Sequence, residues 1–167
     1  STPRAVGVVY PSGFFQQMYS STTNYDANDI RGAVSDGTNF WASGASAANI
    51  DGIDYYGPGT PAGLGTSATP PQAYSIRIFN GQIYYSTQKA GPSNSATQLG
   101  IFSFGNGLPT SGTPSPTQLI NTGSTVVEDF SINPTTDVCY IAVNLNNAIG
   151  GIQKWTKSGG VWSLAYT

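Results

Sequence analysis

The chain has little charge, and this scarcity excludes whole classes of partner. Only 8% of its 167 residues are charged, against about 25% in ordinary globular proteins. The formal net charge is −2, so no strong electrostatic field attracts nucleic acid or an anionic membrane surface. No apolar run reaches the roughly 18 residues of a membrane-spanning helix. We therefore expect no nucleic-acid partner and no membrane span.

The chain also has no histidine and a single cysteine. Without histidine, nucleophilic triads lack their usual base and zinc lacks its usual nitrogen ligand. Cys139 cannot form an intramolecular disulfide, and its apolar neighbours predict a small buried residue. The eight acidic residues show no spacing that pairs two carboxyl groups for glycoside hydrolysis. Asp26, Asn28 and Asp29 resemble turn caps more than a calcium loop. We predict no catalytic residue, no metal site and no cofactor.

What the chain does contain is an internal repeat. The pattern Gly-Ile-x-x-aromatic occurs three times, at Gly52–Tyr56, Gly100–Phe104 and Gly151–Trp155. A strand, a polar turn and an aromatic strand precede each copy, and a more polar strand follows it. No window keeps the 3.6-residue period of a helix. Four short strands recurring every 45–50 residues or so are typical of a β-propeller blade.

The repeats divide the chain into residues 26–72, 73–123 and 124–167, with one blade in each. Residues 1–25 hold two strands joined by Pro11-Ser12-Gly13, which we interpret as a partial blade. The expected fold is all-β, with antiparallel four-stranded blades that make about three and a half blades of a β-propeller. An open propeller exposes two apolar sheet faces. We therefore expect the rest of its own precursor, or further copies, to complete the propeller.

The repeat also predicts individual strands and the packing between them. The aromatic residues that end the three motifs, Tyr56, Phe104 and Trp155, are expected to pack between blades. The expected strands lie near residues 30–34, 40–44, 52–56, 74–79, 82–88, 100–104, 126–132, 138–143, 151–156 and 161–166.

Four stretches carry a resemblance to a known group: Asp29–Trp41, Ile78–Tyr84, Gly107–Thr110 and Gly150–Trp155. They resemble a group of large, secreted bacterial β-propeller-repeat proteins that are mostly uncharacterised. The resemblance covers residues 28–167. It implies a propeller longer than this chain, and a protein that is secreted, extracellular or displayed at the cell surface. It implies no catalytic activity.

The few charged residues gather at the first strand of each repeat. They are Arg31, Arg77 and the adjacent pair Glu128 and Asp129, whose side chains should face opposite sides of an extended strand. The first strand of a blade lines the channel of a propeller, so these charges should converge on its axis. They would either neutralise one another as ion pairs or hold a polar ligand or ion there. We take them as candidate ligand-binding residues.

Three functions remain open, and the first is favoured. A low-charge surface rich in Tyr, Asn, Ser and Gly suits a non-catalytic extracellular binding or assembly module. A carbohydrate-binding lectin is the alternative, with glycans stacked on Trp41, Trp155 or Trp162. These tryptophans do not recur at one equivalent position of every repeat, which counts against a repeated sugar site. A polysaccharide-acting enzyme is the third possibility.

Overall fold

The computed structural model describes residues 2–26, 28–45, 52–64, 72–87, 98–123, 126–144 and 150–167. Within these ranges the chain is all-β and contains no α-helix, which confirms the predicted fold class at that level. The strands form four antiparallel sheets, and each sheet keeps its strands in chain order.

One sheet has two strands and three sheets have four. The partial sheet consists of β1 (Arg4–Val9) and β2 (Phe15–Ser21). The first sheet consists of β3 (Ile30–Ser35), β4 (Phe40–Gly44), β5 (Ile53–Gly57) and β6 (Ala62–Gly63). The second sheet consists of β7 (Ala73–Phe79), β8 (Gln82–Thr87), β9 (Gly100–Ser103) and β10 (Thr117–Asn121). The third sheet consists of β11 (Val126–Ile132), β12 (Val138–Asn144), β13 (Gly151–Ser158) and β14 (Val161–Tyr166).

The predicted strands agree with these bounds to within two residues. Residue 88, the last of the expected strand 82–88, lies outside the described residues. The turn chemistry explains part of this agreement. Asn80 and Gly81 between β7 and β8 both have positive φ, 48° and 69°, which is the backbone that a two-residue hairpin requires and that Asn-Gly tolerates. The Gly-Ile-x-x-aromatic motif overlaps the third strand of each four-stranded sheet, and at most one residue of each copy lies outside that strand.

Apolar side chains stack the sheets face to face in chain order. Val6 of the partial sheet packs with Phe40 and Tyr56 of the first sheet. Between the first and second sheets the apolar cluster contains Trp41, Ile53, Ile76, Ile83, Tyr85 and Phe104. Between the second and third sheets it contains Tyr84, Ile101, Phe130, Cys139, Ile141 and Val143. Each four-stranded sheet therefore buries one face against the sheet before it, as repeat architectures do.

The motif aromatics lie between sheets, as predicted. Tyr56, Phe104 and Trp155 each join the cluster between their own sheet and the preceding one. Tyr56 and Phe104 are buried, whereas Trp155 is half-buried.

The first strands of successive sheets are neighbours: β3 contacts β7, and β7 contacts β11. This arrangement matches the predicted blades, although the sheets do not close into a ring over the part of the chain that the structure describes. The neighbouring first strands bring the candidate residues together.

Candidate functional site

The candidate site is a shallow pocket where β3, β7 and β11 run side by side. It has a volume of about 220 Å³ and is lined by Arg31, Tyr74, Ser75, Arg77, Glu128 and Asp129. The four charged residues singled out from the sequence therefore line one pocket, although they belong to three different sheets. Two or three residues from each first strand are enough to build it, because the strands are neighbours.

Arg77 and Asp129 form the main ion pair of the pocket. The Arg77 Nη2 atom lies 2.8 Å from each carboxylate oxygen of Asp129. The Ser75 hydroxyl and the Phe130 backbone N–H also donate to Oδ1 of that carboxylate. Arg77 Nη1 donates to the carbonyl oxygen of Ile76 at 2.9 Å. The pair thus links the first strands of the second and third sheets, and much of its hydrogen-bonding capacity is used internally.

Arg31 links the first sheet to the second in a similar way. Its Nη1 donates to Gln72 Oε1 at 3.0 Å and to the carbonyl oxygen of Ala73 at 3.2 Å. Its guanidinium carbon lies 4.2 Å from the centre of the Tyr74 ring, within cation–π range. Asp29 lies 3.5 Å from Nη2 and completes an ion pair. Arg31 is therefore held on three sides by polar or aromatic groups.

Glu128 and Asp129 do not follow the strict alternation that we expected. Both line the pocket, and the β11–β12 pairing has a bulge between Val127 and Asp129. A bulge inserts an extra residue and changes where the neighbouring side chains point. The Glu128 carboxylate also accepts a 3.1 Å hydrogen bond from the Asn144 side chain. The expectation of opposite faces was wrong because one irregular residue shifts the register.

The pocket carries two guanidinium groups and two carboxylates, so its formal charges balance. Ser75 donates to Asp129, but the chain has no histidine that would take a proton from the hydroxyl. Over the described residues no group of three or more His, Cys, Asp or Glu side chains is placed to hold a metal ion. The arrangement suits hydrogen bonding to a neutral or zwitterionic polar group.

The candidate tryptophans lie elsewhere. Trp41 is fully buried between the first and second sheets, and its Nε1 donates to the Pro109 carbonyl oxygen at 2.7 Å. Trp155 is half-buried, and its Nε1 donates to Gln153 Oε1 at 2.9 Å. Neither side chain lines the pocket between the first strands. Both pack in the apolar clusters between sheets instead.

Sequence reasoning did not identify a larger groove between the second and third sheets. It has a volume of about 310 Å³, at the small end of ligand pockets. Tyr84, Leu119 and Trp162 form apolar walls, and Gln82, Thr117 and Lys157 add polar groups. The Lys157 ammonium nitrogen lies 5.9 Å from the Trp162 ring centre. Trp162 is one of the candidate sugar-stacking residues from the sequence. The other lining residues are distant in sequence and become neighbours only when the second and third sheets pack together, so the sequence does not indicate the groove.

Two buried groups next to these sites have altered acidity. Burial raises the pKa of the Tyr84 hydroxyl. Burial also raises the pKa of the Cys139 thiol to about 12. Cys139 is fully buried between the second and third sheets, so the structure confirms that it is a core residue. Neutral thiols are poor nucleophiles.

Comparisons with known proteins add no functional assignment. No protein-family model matches the chain, and no curated protein matches it significantly. No helix among the described residues has the length and apolar character needed to cross a membrane.

Proposed function

We propose that the chain is a non-catalytic extracellular module of β-propeller type that binds or assembles with other molecules. The observation that carries this proposal is the pairing of charges at the first strands. Arg77 is paired with Asp129, and Arg31 is held by Asp29, Gln72 and Tyr74. Charges engaged in this way link neighbouring strands, whereas a catalytic site leaves a titratable group available to its substrate.

Two further features support the propeller type and the extracellular setting. The four-stranded sheets stack face to face, with their first strands adjacent, as blades do around a channel. The surface contains few charges and many hydroxyl and amide groups, which is common in proteins that work outside the cell.

An activity screen tests the non-catalytic part of the proposal. The purified chain is incubated with a panel of plant, algal and bacterial polysaccharides, and new reducing ends and unsaturated products are measured. We expect no product above a heat-inactivated control. Product formation that is lost in Asp129→Asn, and retained in the distant turn variant Asp36→Asn, would overturn the proposal.

A carbohydrate-binding lectin is the second candidate, and the groove between the second and third sheets favours it. Sugars combine apolar faces with hydroxyl groups, and the groove pairs Trp162 and Tyr84 with Gln82, Thr117 and Lys157. A glycan array tests this candidate. If it is correct, Thr117→Val weakens binding about tenfold by removing one hydroxyl hydrogen bond. The matched variant Thr38→Val, in the exposed turn between β3 and β4 of the first sheet, leaves binding unchanged.

If the wild-type chain binds no glycan on the array, the lectin candidate is excluded. Equal loss in both threonine variants would place any glycan contact outside the groove.

A further inference from the structure

The second strands of the three complete sheets place an aromatic residue at one equivalent position. Trp41, Tyr84 and Tyr140 occupy this position, as the pairing with the third strand indicates. Their partners are Tyr55, Ser103 and Lys154, which share the fourth position of the Gly-Ile-x-x-aromatic motif. The second and third strands are therefore paired in the same register in all three sheets at this position.

The isoleucine of the motif occupies a second equivalent position on the same face. Ile53, Ile101 and Ile152 are paired with Ser43, Ser86 and Ala142, which lie two residues after the second-strand aromatics. Because side chains two residues apart on a strand share a face, each isoleucine lies beside the aromatic residue of its own sheet. The two positions together mark the face that points towards the next sheet.

This face is covered in the first two sheets and uncovered in the third. Trp41 and Ile53 are 0% exposed against the second sheet, and Tyr84 and Ile101 are 7% and 0% exposed against the third. Tyr140 and Ile152 are 44% and 55% exposed at the equivalent positions. The equivalent positions are therefore buried where a following sheet packs on them and exposed where no other described residues do.

The surroundings of Tyr140 and Ile152 extend the apolar face. A shallow depression of about 200 Å³ lies beside Tyr140, Ala142 and Ile152, and Asp129 and Ser131 of β11 line its other side. Tyr166, at the end of β14, is 54% exposed. The Lys154 ammonium nitrogen lies 6.0 Å from the Tyr140 ring centre and 5.7 Å from that of Tyr166. A partner on this face would meet Tyr140, Ile152 and Tyr166 around the Lys154 cation, with Asp129 and Ser131 at the margin, so it needs an acceptor for Lys154.

We propose that this outer face of the third sheet docks a further four-stranded sheet of the same repeat. The occupant would cover it as β11 and β12 cover Tyr84 and Ile101, with alternating apolar residues like Phe130 and Ile141. The inference continues an interface that already occurs between consecutive sheets, and it rests on the proposed repeat architecture. Large exposed apolar patches mark interaction sites in soluble proteins.

Over the residues that the structure describes, a second copy of the chain does not offer such a face. The faces with which its first, second and third sheets meet a preceding sheet are already covered by their own neighbours. Its partial sheet, β1 and β2, has an outer apolar side with Val9 and Phe15 exposed, but two strands cover only part of a four-stranded sheet. The geometry therefore favours a complete repeat as the occupant.

The test extends the chain with the kind of sheet that the inference requires. A second copy of residues 124–167, with its own copy of Cys139 replaced by alanine, is appended after Thr167, because this segment already covers the equivalent face of the second sheet. Ile152→Cys reports on exposure through its rate of labelling by a thiol reagent, and the buried Cys139 provides an unreactive reference. We expect Cys labelling at position 152 to be rapid in the unextended chain and about tenfold or more slower in the extended chain.

The matched control carries aspartate at the two positions of the appended copy that correspond to Phe130 and Ile141. This change removes the apolar docking side, so labelling should remain as fast as in the unextended chain. Unchanged labelling with the intact appended copy, folded or not, would overturn the inference. Slow labelling in the unextended chain, with sedimentation at twice its mass, would also overturn it, because the occupant would then be a second copy. Polysaccharide turnover would instead contradict the proposed function and leave the labelling result unaffected.

Discussion

The indole N–H of Trp41 donates a 2.7 Å hydrogen bond to the carbonyl oxygen of Pro109. Trp41 lies on β4 of the first sheet, and Pro109 lies in the loop between β9 and β10 of the second sheet. The two sheets are therefore joined by a directional polar contact as well as by apolar packing. Leu108, next to Pro109, packs against the same cluster.

Substitution of Trp41 is expected to be among the more destabilising changes. Trp41→Ala should lower the free energy of unfolding by about 3–5 kcal/mol, since it leaves a large cavity between two sheets. Trp41→Phe should cost about 1–3 kcal/mol through the lost hydrogen bond and the smaller volume. Chemical denaturation measures both values. Trp155→Ala is the comparison, and we expect a smaller loss because Trp155 is half-buried. An equal or larger loss at Trp155 would contradict this ordering.

The motif glycine on β9 has a conformational role that can be tested separately from packing. Gly100 has φ +138°, and an added Cβ would overlap the carbonyl oxygen of Ile120 on β10. We expect Gly100→Ala to lower the free energy of unfolding by about 3 kcal/mol or more. Gly105 also has positive φ, +71°, but has no atom near an added Cβ, so Gly105→Ala should cost only about 1–2 kcal/mol. Equal losses in thermal or chemical unfolding would show that the overlap at Gly100 relaxes freely.

The Arg77–Asp129 pair should contribute little to stability despite its short distances. Its side chains are 41% and 52% exposed, and exposed pairs contribute about 0–1 kcal/mol. A double-mutant cycle with Arg77→Gln and Asp129→Asn measures the coupling energy, which should fall as salt concentration rises. A coupling of several kcal/mol that is insensitive to salt would mean that the pocket is closed to water in solution.

Alkaline pH should destabilise the fold partly through Cys139. Its pKa is raised to about 12 by burial, whereas an unfolded cysteine ionises near pH 8.5 or so. Between these values the unfolded chain loses the proton and the folded chain keeps it. Stability is therefore fully present below the unfolded pKa and is lost as the pH rises towards the folded one.

Urea unfolding at about pH 8 and pH 10.5 measures this loss. Burial also raises the pKa of Tyr85, so the wild type alone does not isolate the thiol. Cys139→Ala should lose less stability than the wild type over the same interval. Identical pH dependence in the two proteins would show that the thiol plays no part.

The strands and the stacking order were predictable because they depend on local features. Alternating apolar residues, Asn80-Gly81 and the repeated Gly-Ile motif act over a few residues each. The gathering of Arg31, Arg77 and Asp129 was also predictable, since equivalent positions in a stacked repeat lie close in space. The bulge beside Asp129 was not, because one extra residue in a strand leaves no signal in the composition. The groove between Tyr84 and Trp162 also depends on how two sheets pack, which no single segment encodes.

The difference between the two faces of each sheet gives the stack a direction. One face of every complete sheet, such as the side of Phe130 and Ile141, fits the sheet before it, while in the first and second sheets the side of the motif isoleucine fits the sheet after it. During synthesis from the N-terminus, each completed sheet therefore presents a ready surface to the segment that emerges next. The sheets can therefore fold in the order in which they are translated, because each one packs against a sheet that has already been synthesised.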